Sequence, residues 1–116
     1  MANPSTIGTG TEVLRRSFAH GISATDTVLI NGVADHIYTL LSVVVCEQAG
    51  AAETFSIFID PDTGTDNIGL VQSTALPANG TYVFSEKIVI TNTDDLVIWT
   101  SSGNVDIYTS YIDQDW

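Results

Sequence analysis

The sequence has little positive charge, and this scarcity excludes several classes of partner. Only three Lys and Arg residues, Arg15, Arg16 and Lys87, stand against fourteen Asp and Glu, giving a formal net charge of -11. Nucleic acids and anionic membranes repel such a surface unless a local basic patch is present, and only the Arg15-Arg16 pair could start one. We therefore expect neither nucleic acid nor a membrane among the partners.

Cysteine and long apolar runs are also scarce. Cys46 is the single cysteine, so the chain can form no intrachain disulfide and no thiolate zinc cluster. Its neighbours Val44, Val45 and Glu47 place it in an apolar run, which predicts a small buried core residue rather than a nucleophile. No apolar run reaches the ~18 residues of a membrane span, and the first residues lack the pattern of a secretory signal, so we expect a soluble chain.

Groups for catalysis are few. His20 and His36 are the two histidines, and neither lies at a metal-ligand spacing, so we expect surface or capping roles for them. No G-x-S-x-G motif occurs, and "IGTGTE" at 7–12 lacks the third glycine and the helix of a phosphate-binding loop. Most carboxylates fall in turns, where solvent keeps them ionised. We therefore predict that the chain is not an enzyme and holds no cofactor.

What the sequence does contain is a β pattern. A length of 116 residues fits one domain, and short apolar runs separated by turn signals such as Asn31-Gly32 and Asn79-Gly80 are typical of sandwiches and barrels. We predict an all-β, antiparallel, jelly-roll-like sandwich of about eight strands over 12–116, preceded by an extended arm at 1–11. The predicted strands cover 12–18, 26–30, 36–46, 53–59, 68–74, 81–91, 95–101 and 105–112.

The alternation of apolar residues predicts the buried faces. Two strands are expected to have one buried and one solvent-exposed face. The core-facing residues are Phe55, Ile57 and Ile59 in one strand and Val105, Ile107 and Tyr111 in the other. Glu86 falls in phase with the inward residues of 81–91, which predicts a bulge near 85–87. Both faces of "IYTLLSVVVC" are apolar, with Ile37, Leu41, Val43 and Val45 on one and Tyr38, Leu40, Val44 and Cys46 on the other. Another part of the chain or a neighbouring subunit must cover the second face.

Two features could bind small ligands. Asp60, Asp62 and Asp66 lie in the loop "DPDTGTDN", which has the oxygen-rich character of a calcium loop but lacks the bidentate Glu of an EF-hand, and a solvated Asp-Gly turn explains it as well. Asp94 and Asp95 could add to it in space. Aromatic residues near the C-terminus could form a platform for sugars, and core packing is the other interpretation. They are Trp99, Tyr108, Tyr111 and Trp116.

The order of sequence segments over residues 12–112 resembles that in the small β-sandwich structural proteins of tailed bacteriophages. The segments are "HIYTLLSVVVCEQAGAAETFSIFI", "ALPANGTYVFSEKIVITNTDDLVIWTSS" and "NVDIYTSYI". They consist of turn residues and β patterning rather than a site. This chain departs from those proteins in its acidic balance and in the Arg15-Arg16 pair.

The resemblance implies a capsid decoration (cement) protein that binds the outside of the head, made in the cytoplasm of a host bacterium and then located in the virion. The implied partners are the major capsid protein or other virion proteins, and further copies of this chain, with a trimer favoured. The arm would cross a subunit seam, and the contact candidates are Arg15, Arg16, Tyr38, Leu40 and Val44. The alternative is a carbohydrate-binding or tail-associated receptor-binding module.

Overall fold

The fold is known from a computed structural model, which describes residues 11–61 and 66–115. Nine strands account for most of these residues. They are β1 (Glu12–Ile22), β2 (Asp26–Ile30), β3 (His36–Glu47), β4 (Glu53–Asp60), β5 (Ile68–Leu76), β6 (Thr81–Phe84), β7 (Val89–Thr91), β8 (Asp95–Thr100) and β9 (Val105–Asp115). Among the described residues, no helix is long and apolar enough to cross a membrane.

The strands form two antiparallel sheets. The first sheet has the order β1-β9-β3-β6, with β7 also pairing with β3, and the second has the order β2-β8-β4-β5. Because β6 and β7 pair with successive parts of β3, they act as one interrupted strand, and each sheet has four positions. This strand order, with the chain passing repeatedly from one sheet to the other, is that of a jelly roll. The predicted fold class is confirmed.

The core fills the space between the inner faces of the two sheets. Phe55 is fully buried near its centre and meets the Tyr82 ring edge to face at 4.9 Å. The predicted inward sets are confirmed, since Ile57, Val105 and Ile107 are buried and Ile59 and Tyr111 pack against the core. Such alternation leaves each sheet with a second, outer face.

A bulge in β3 changes which residues face the core. The register with β9 shifts between Leu40 and Ser42, and one extra residue reverses the alternation beyond it. Tyr38 and Leu40 before the bulge and Val43 and Val45 after it are therefore all buried. The prediction that Tyr38, Leu40, Val44 and Cys46 share one face is wrong, because it assumed unbroken alternation.

The irregularity predicted near 85–87 is present and takes the form of a gap. β6 ends at Phe84 and β7 begins at Val89, and Glu86 between them is exposed. The Leu40 N–H bridges the gap by donating to the Ile88 carbonyl over 2.8 Å. The gap thus lies beside the β3 bulge. It allows Glu86 to point to solvent, although regular alternation would turn it toward the core.

The first described residue is tied to the last strand. The Thr11 N–H and hydroxyl donate to Asp115 Oδ1 over 2.6 and 2.9 Å, and these bonds, the backbone one first, lower the pKa of the Asp115 carboxyl. Residues 1–10 of the predicted arm lie outside the described residues.

Candidate functional site

The outer face of the first sheet carries a row of apolar side chains that crosses four strands. Phe18 pairs with Tyr108, Tyr108 with Val44, and Val44 with Val83. Phe18 is 63%, Val83 56% and Tyr108 45% exposed. Strand pairing therefore fixes a continuous strip of apolar surface that is open to solvent.

A second row runs parallel to the first and is separated from it by the pair Arg16 and Ser110. Leu14 pairs with Ile112, Ile112 with Thr39, and Thr39 with Val89, and the two end residues are exposed. An ordinary protein surface exposes single, scattered apolar residues, whereas these two rows group several exposed apolar residues on one face. We call this surface the apolar face and define it by Leu14, Arg16, Phe18, Val44, Val83, Val89 and Tyr108.

Arg16 gives the apolar face its one cation. Its guanidinium carbon lies 5.2 Å from the centre of the Phe18 ring and 6.0 Å from that of Tyr108, and the two rings stack at 6.4 Å. The arrangement is a cation–π contact on an exposed aromatic pair. Arginine and aromatic residues dominate the energetics of protein–protein interfaces.

The predicted partner-contact residues separate in the structure. Arg16 and Val44 lie on the apolar face, whereas Arg15 bonds to Asp113 through Nε at 2.8 Å. Tyr38 and Leu40 are buried in the core and cannot reach a partner. The β3 bulge is the cause, because it separates their face from that of Val44. Arg16, Val44 and the half-exposed Arg15 therefore remain the contact candidates.

Asp113 is a buried, doubly engaged carboxylate on the core-facing side of the same sheet. Its Oδ2 accepts from Arg15, and its Oδ1 lies 2.7 Å from His36 Nδ1, so both oxygens are engaged. Burial raises the pKa of the neighbouring Tyr38 and Tyr111 hydroxyls. The cluster joins β1, β3 and β9 and has the character of a structural ion pair rather than an open acid or base.

Cys46 was predicted to be a core residue, and the structure corrects this. The β3 bulge places it on the outer face, where it is half-buried beside Phe18, His20 and Asp106. His20 Nδ1 bonds to Asp106 Oδ1 at 2.8 Å with its ring largely exposed, which agrees with the predicted surface role. The single thiol therefore lies at the border of the apolar face.

Besides Asp113, two buried carboxylates were missed by sequence reasoning. Glu47 accepts hydrogen bonds from the backbone N–H groups of Ala49, Gly50, Ala51 and Asn79 at 2.8–3.1 Å. These bonds, that from Asn79 first, lower the pKa of Glu47 against the effect of burial. Its place directly before the small-residue loop "QAGAA" was the available signal, because a carboxylate there can accept from free loop N–H groups.

Glu53 is the second of these carboxylates. Its Oε1 accepts from the Ser101 and Ser102 hydroxyls at 2.9 and 2.7 Å. Gly103, at φ +88, passes so close that an added Cβ would collide with the carboxylate. The close contact between Glu53 and Gly103 fixes the turn before β9. Glu47 and Glu53 therefore each stabilise a loop.

The predicted calcium candidates do not form a cluster in the part of the chain that the structure describes. Asp60 and Asp66 are exposed, Asp62 lies outside the described residues, and residues 11–61 and 66–115 contain no group of three or more metal-binding side chains. Asp60 pairs across the sheet with Asp95, whose Oδ1 accepts from the Gly32 N–H. Calcium binding therefore stays a prediction.

The predicted aromatic platform is divided between different faces. Tyr108 lies on the apolar face, Tyr111 packs on the core, and Trp116 lies outside the described residues. Trp99 lies on the outer face of the second sheet, in a shallow pocket that we call the Trp99 pocket. Its lining residues are Asp26, Ser56, Phe58, Asn67, Gly69, Gln72, Ser73 and Trp99.

No family model matches the chain, and no curated protein matches it. One similar solved chain comes from the structure of the infectious bursal disease virus Gx strain, with TM-score 0.48 and 11% identity over 93% of this chain and 38% of that chain. Another comes from Bacillus endospore appendages, described as disulfide-linked pili, with TM-score 0.47 and 12% identity over 96% of this chain and 93% of that one. This chain therefore spans well under half of the viral chain, and similarities of this size carry no conclusion about function.

Proposed function

We propose that this chain is a non-enzymatic structural protein of a bacteriophage virion, a capsid decoration protein that binds the outside of the head through its apolar face. The observation that carries the proposal is the cross-strand row Phe18-Tyr108-Val44-Val83, with Arg16 over its aromatic pair. A rigid sheet holds this row in place, so binding orders few side chains.

The distribution of charge supports a protein partner. The chain carries -11 overall, whereas the apolar face has one arginine among its rows and the nearby carboxylate Asp106 at its border. A covered centre that is poor in acidic groups and rich in aromatic groups is typical of protein interfaces. The acidic remainder of the surface keeps the free chain soluble and opposes non-specific association.

The proposed assembly is a trimer that sits on the major capsid protein. Each copy presents the same rigid face, and repeated contacts of modest strength combine into tight binding through effective concentration. Light scattering on the free protein tests the trimer, because three copies have three times the 12.4 kDa of one chain. A mass of one chain would remove the trimer from the proposal without touching the shell contact.

The decoration role itself is tested on virions and shells. Mass spectrometry of purified virions of the phage that encodes the chain should find this polypeptide in stoichiometric amount, and its absence would end the proposal. For the contact surface, purified shells are mixed with the protein and sedimented. Val83→Glu should abolish co-sedimentation because it places an unpaired carboxylate within the buried interface.

The chain offers a closely matched control. Val28 is 51% exposed against 56% for Val83, and it lies on the outer face of the second sheet, on the other side of the sandwich. Val28→Glu should therefore co-sediment as the unchanged protein does. Equal loss of binding in both variants, or in neither, would contradict the assignment of the apolar face.

Cys46 provides an independent measurement of the same contact. It is the single cysteine and lies at the border of the apolar face, so maleimide labelling reports on that border alone. We expect labelling of the shell-bound protein to be slower than labelling of the free protein. An unchanged rate would place the contact elsewhere on the molecule.

A further inference from the structure

The Trp99 pocket is built by strand register on the face opposite to the apolar face. Trp99 pairs with Asp26 on one side and with Ser56 on the other, so a carboxylate and a hydroxyl flank the indole. Phe58, in the adjacent row, pairs with Gly69, which has no side chain to cover the ring. The pocket thus has two half-exposed aromatic groups on its floor and polar groups around them.

An irregularity of β5 forms one wall of the pocket. The register between β4 and β5 shifts on both sides of Ile57, and Ser73 adopts a positive φ of 45°. The Ser73 N–H donates to Ser56 Oγ over 2.9 Å, which fixes the wall and leaves the Gln72 and Ser73 side chains exposed. Bulges that redirect side chains are common at binding sites.

We propose that the Trp99 pocket binds a neutral saccharide. A sugar ring has apolar C–H faces, which pack on aromatic rings, and hydroxyl groups at its edge, which both donate and accept hydrogen bonds. Trp99 and Phe58 provide the apolar contact. Asp26 accepts from hydroxyls, and the Asn67 and Gln72 amides both donate and accept.

Shape and charge narrow the ligand class further. The pocket volume of about 390 Å³ lies within the ~300–1,000 Å³ of small-molecule sites. A purely apolar ligand would leave the carboxylate and amides without partners, which costs free energy. An anionic sugar would meet Asp26 and a chain of net charge -11, so a neutral sugar fits best.

This inference goes beyond the proposed decoration role and does not depend on it. The two outer faces of a sandwich point in opposite directions, so a chain that is docked through its apolar face presents the Trp99 pocket to the surroundings. A decorated head would then carry many copies of a weak saccharide site, and multiple weak contacts give strong adhesion.

The test uses the full chain and the indole N–H signals of its two tryptophans. A Trp116→Phe variant leaves Trp99 as the single indole. Maltohexaose, cellohexaose, chitohexaose and mannohexaose are titrated in turn into the ¹⁵N-labelled protein. We expect at least one of them to shift the Trp99 indole and the Gln72 side-chain amide saturably at millimolar concentration, as suits a shallow site.

Two variants and one control complete the test. Trp99→Ala should remove the shifts of the Gln72 amide. Asp26→Asn, which keeps the shape of an exposed side chain, should weaken binding by about tenfold, as for loss of a charged hydrogen-bond acceptor. Tyr108→Ala on the apolar face should bind as the unchanged protein does. The inference is overturned if no saccharide moves the Trp99 indole, or if Tyr108→Ala abolishes the shifts while Trp99→Ala leaves them.

Discussion

Truncation of Phe18 should separate binding from stability more clearly than any other single change. Phe18 is 63% exposed in the free chain, so roughly two-thirds of the ~200 Å² of a phenylalanine side chain remains to be covered by a partner. At ~25 cal/mol per Å², covering about 130 Å² contributes about 3 kcal/mol. Since alanine keeps its Cβ, Phe18→Ala should lose about 2–3 kcal/mol of shell binding, or about 30- to 140-fold in Kd.

The same change should cost little folding stability. In the free chain Phe18 contributes its exposed stack on Tyr108 and the contact with Arg16. Exposed contacts of this kind contribute about 0.5–1 kcal/mol each. We therefore expect the free energy of unfolding to fall by roughly 1–2 kcal/mol, well within the reserve of a small domain.

The assay is a binding isotherm on purified shells, followed by sedimentation, together with urea unfolding of the free protein. Val28→Ala on the second sheet is the control, because it also truncates an exposed apolar residue. The reasoning is refuted if Phe18→Ala binds shells within about twofold of the unchanged protein. It is refuted as well if Val28→Ala loses equal affinity.

Two further predictions concern the buried carboxylates. Glu47→Gln should lower the urea midpoint at pH 7, because an amide has one acceptor oxygen where the carboxylate has two, whereas Glu86→Gln at an exposed position should not. Because the pKa of Glu47 is lowered in the folded chain, its stabilising effect is fully present above the ordinary value of 4.5 and is lost as pH falls through the folded pKa. The free energy of unfolding, measured in urea from pH 7 to pH 3, should therefore depend less on pH in Glu47→Gln than in the unchanged protein. Equal pH dependence in the two proteins would contradict this role. Gly103→Ala should destabilise the chain by roughly 1–3 kcal/mol, because it strains a positive φ and drives a Cβ into Glu53, whereas Gly69→Ala, at ordinary contact distance from its neighbours, should be tolerated in thermal unfolding.

The aromatic residues show where sequence reasoning about the site reached its limit. Trp99, Tyr108 and Tyr111 are close in sequence and were treated as one candidate platform. The turn from β8 to β9 crosses from one sheet to the other, so Trp99 and Tyr108 lie on opposite sides of the sandwich. Proximity along a jelly-roll chain therefore does not predict a shared surface, because consecutive strands often belong to different sheets.

The sequence by itself determined the class of fold and the approximate position of the strands. Alternation in segments such as Phe55, Ile57 and Ile59, together with turns such as Asn79-Gly80, is local information, and side chains of a strand alternate whatever the strand pairs with. It also determined the acidic character of the surface, because net charge is a property of composition.

Only the tertiary structure decided which residues are available to partners. The extra residue near Leu41 reverses the faces of β3, which buries Tyr38 and Leu40 and brings Val44 and Cys46 to the surface. A bulge of this kind is selected by pairing with β9 on one side and with the interrupted β6 and β7 on the other. The free energy of those long-range contacts, and not the local pattern, sets the register, and so it also creates the apolar face.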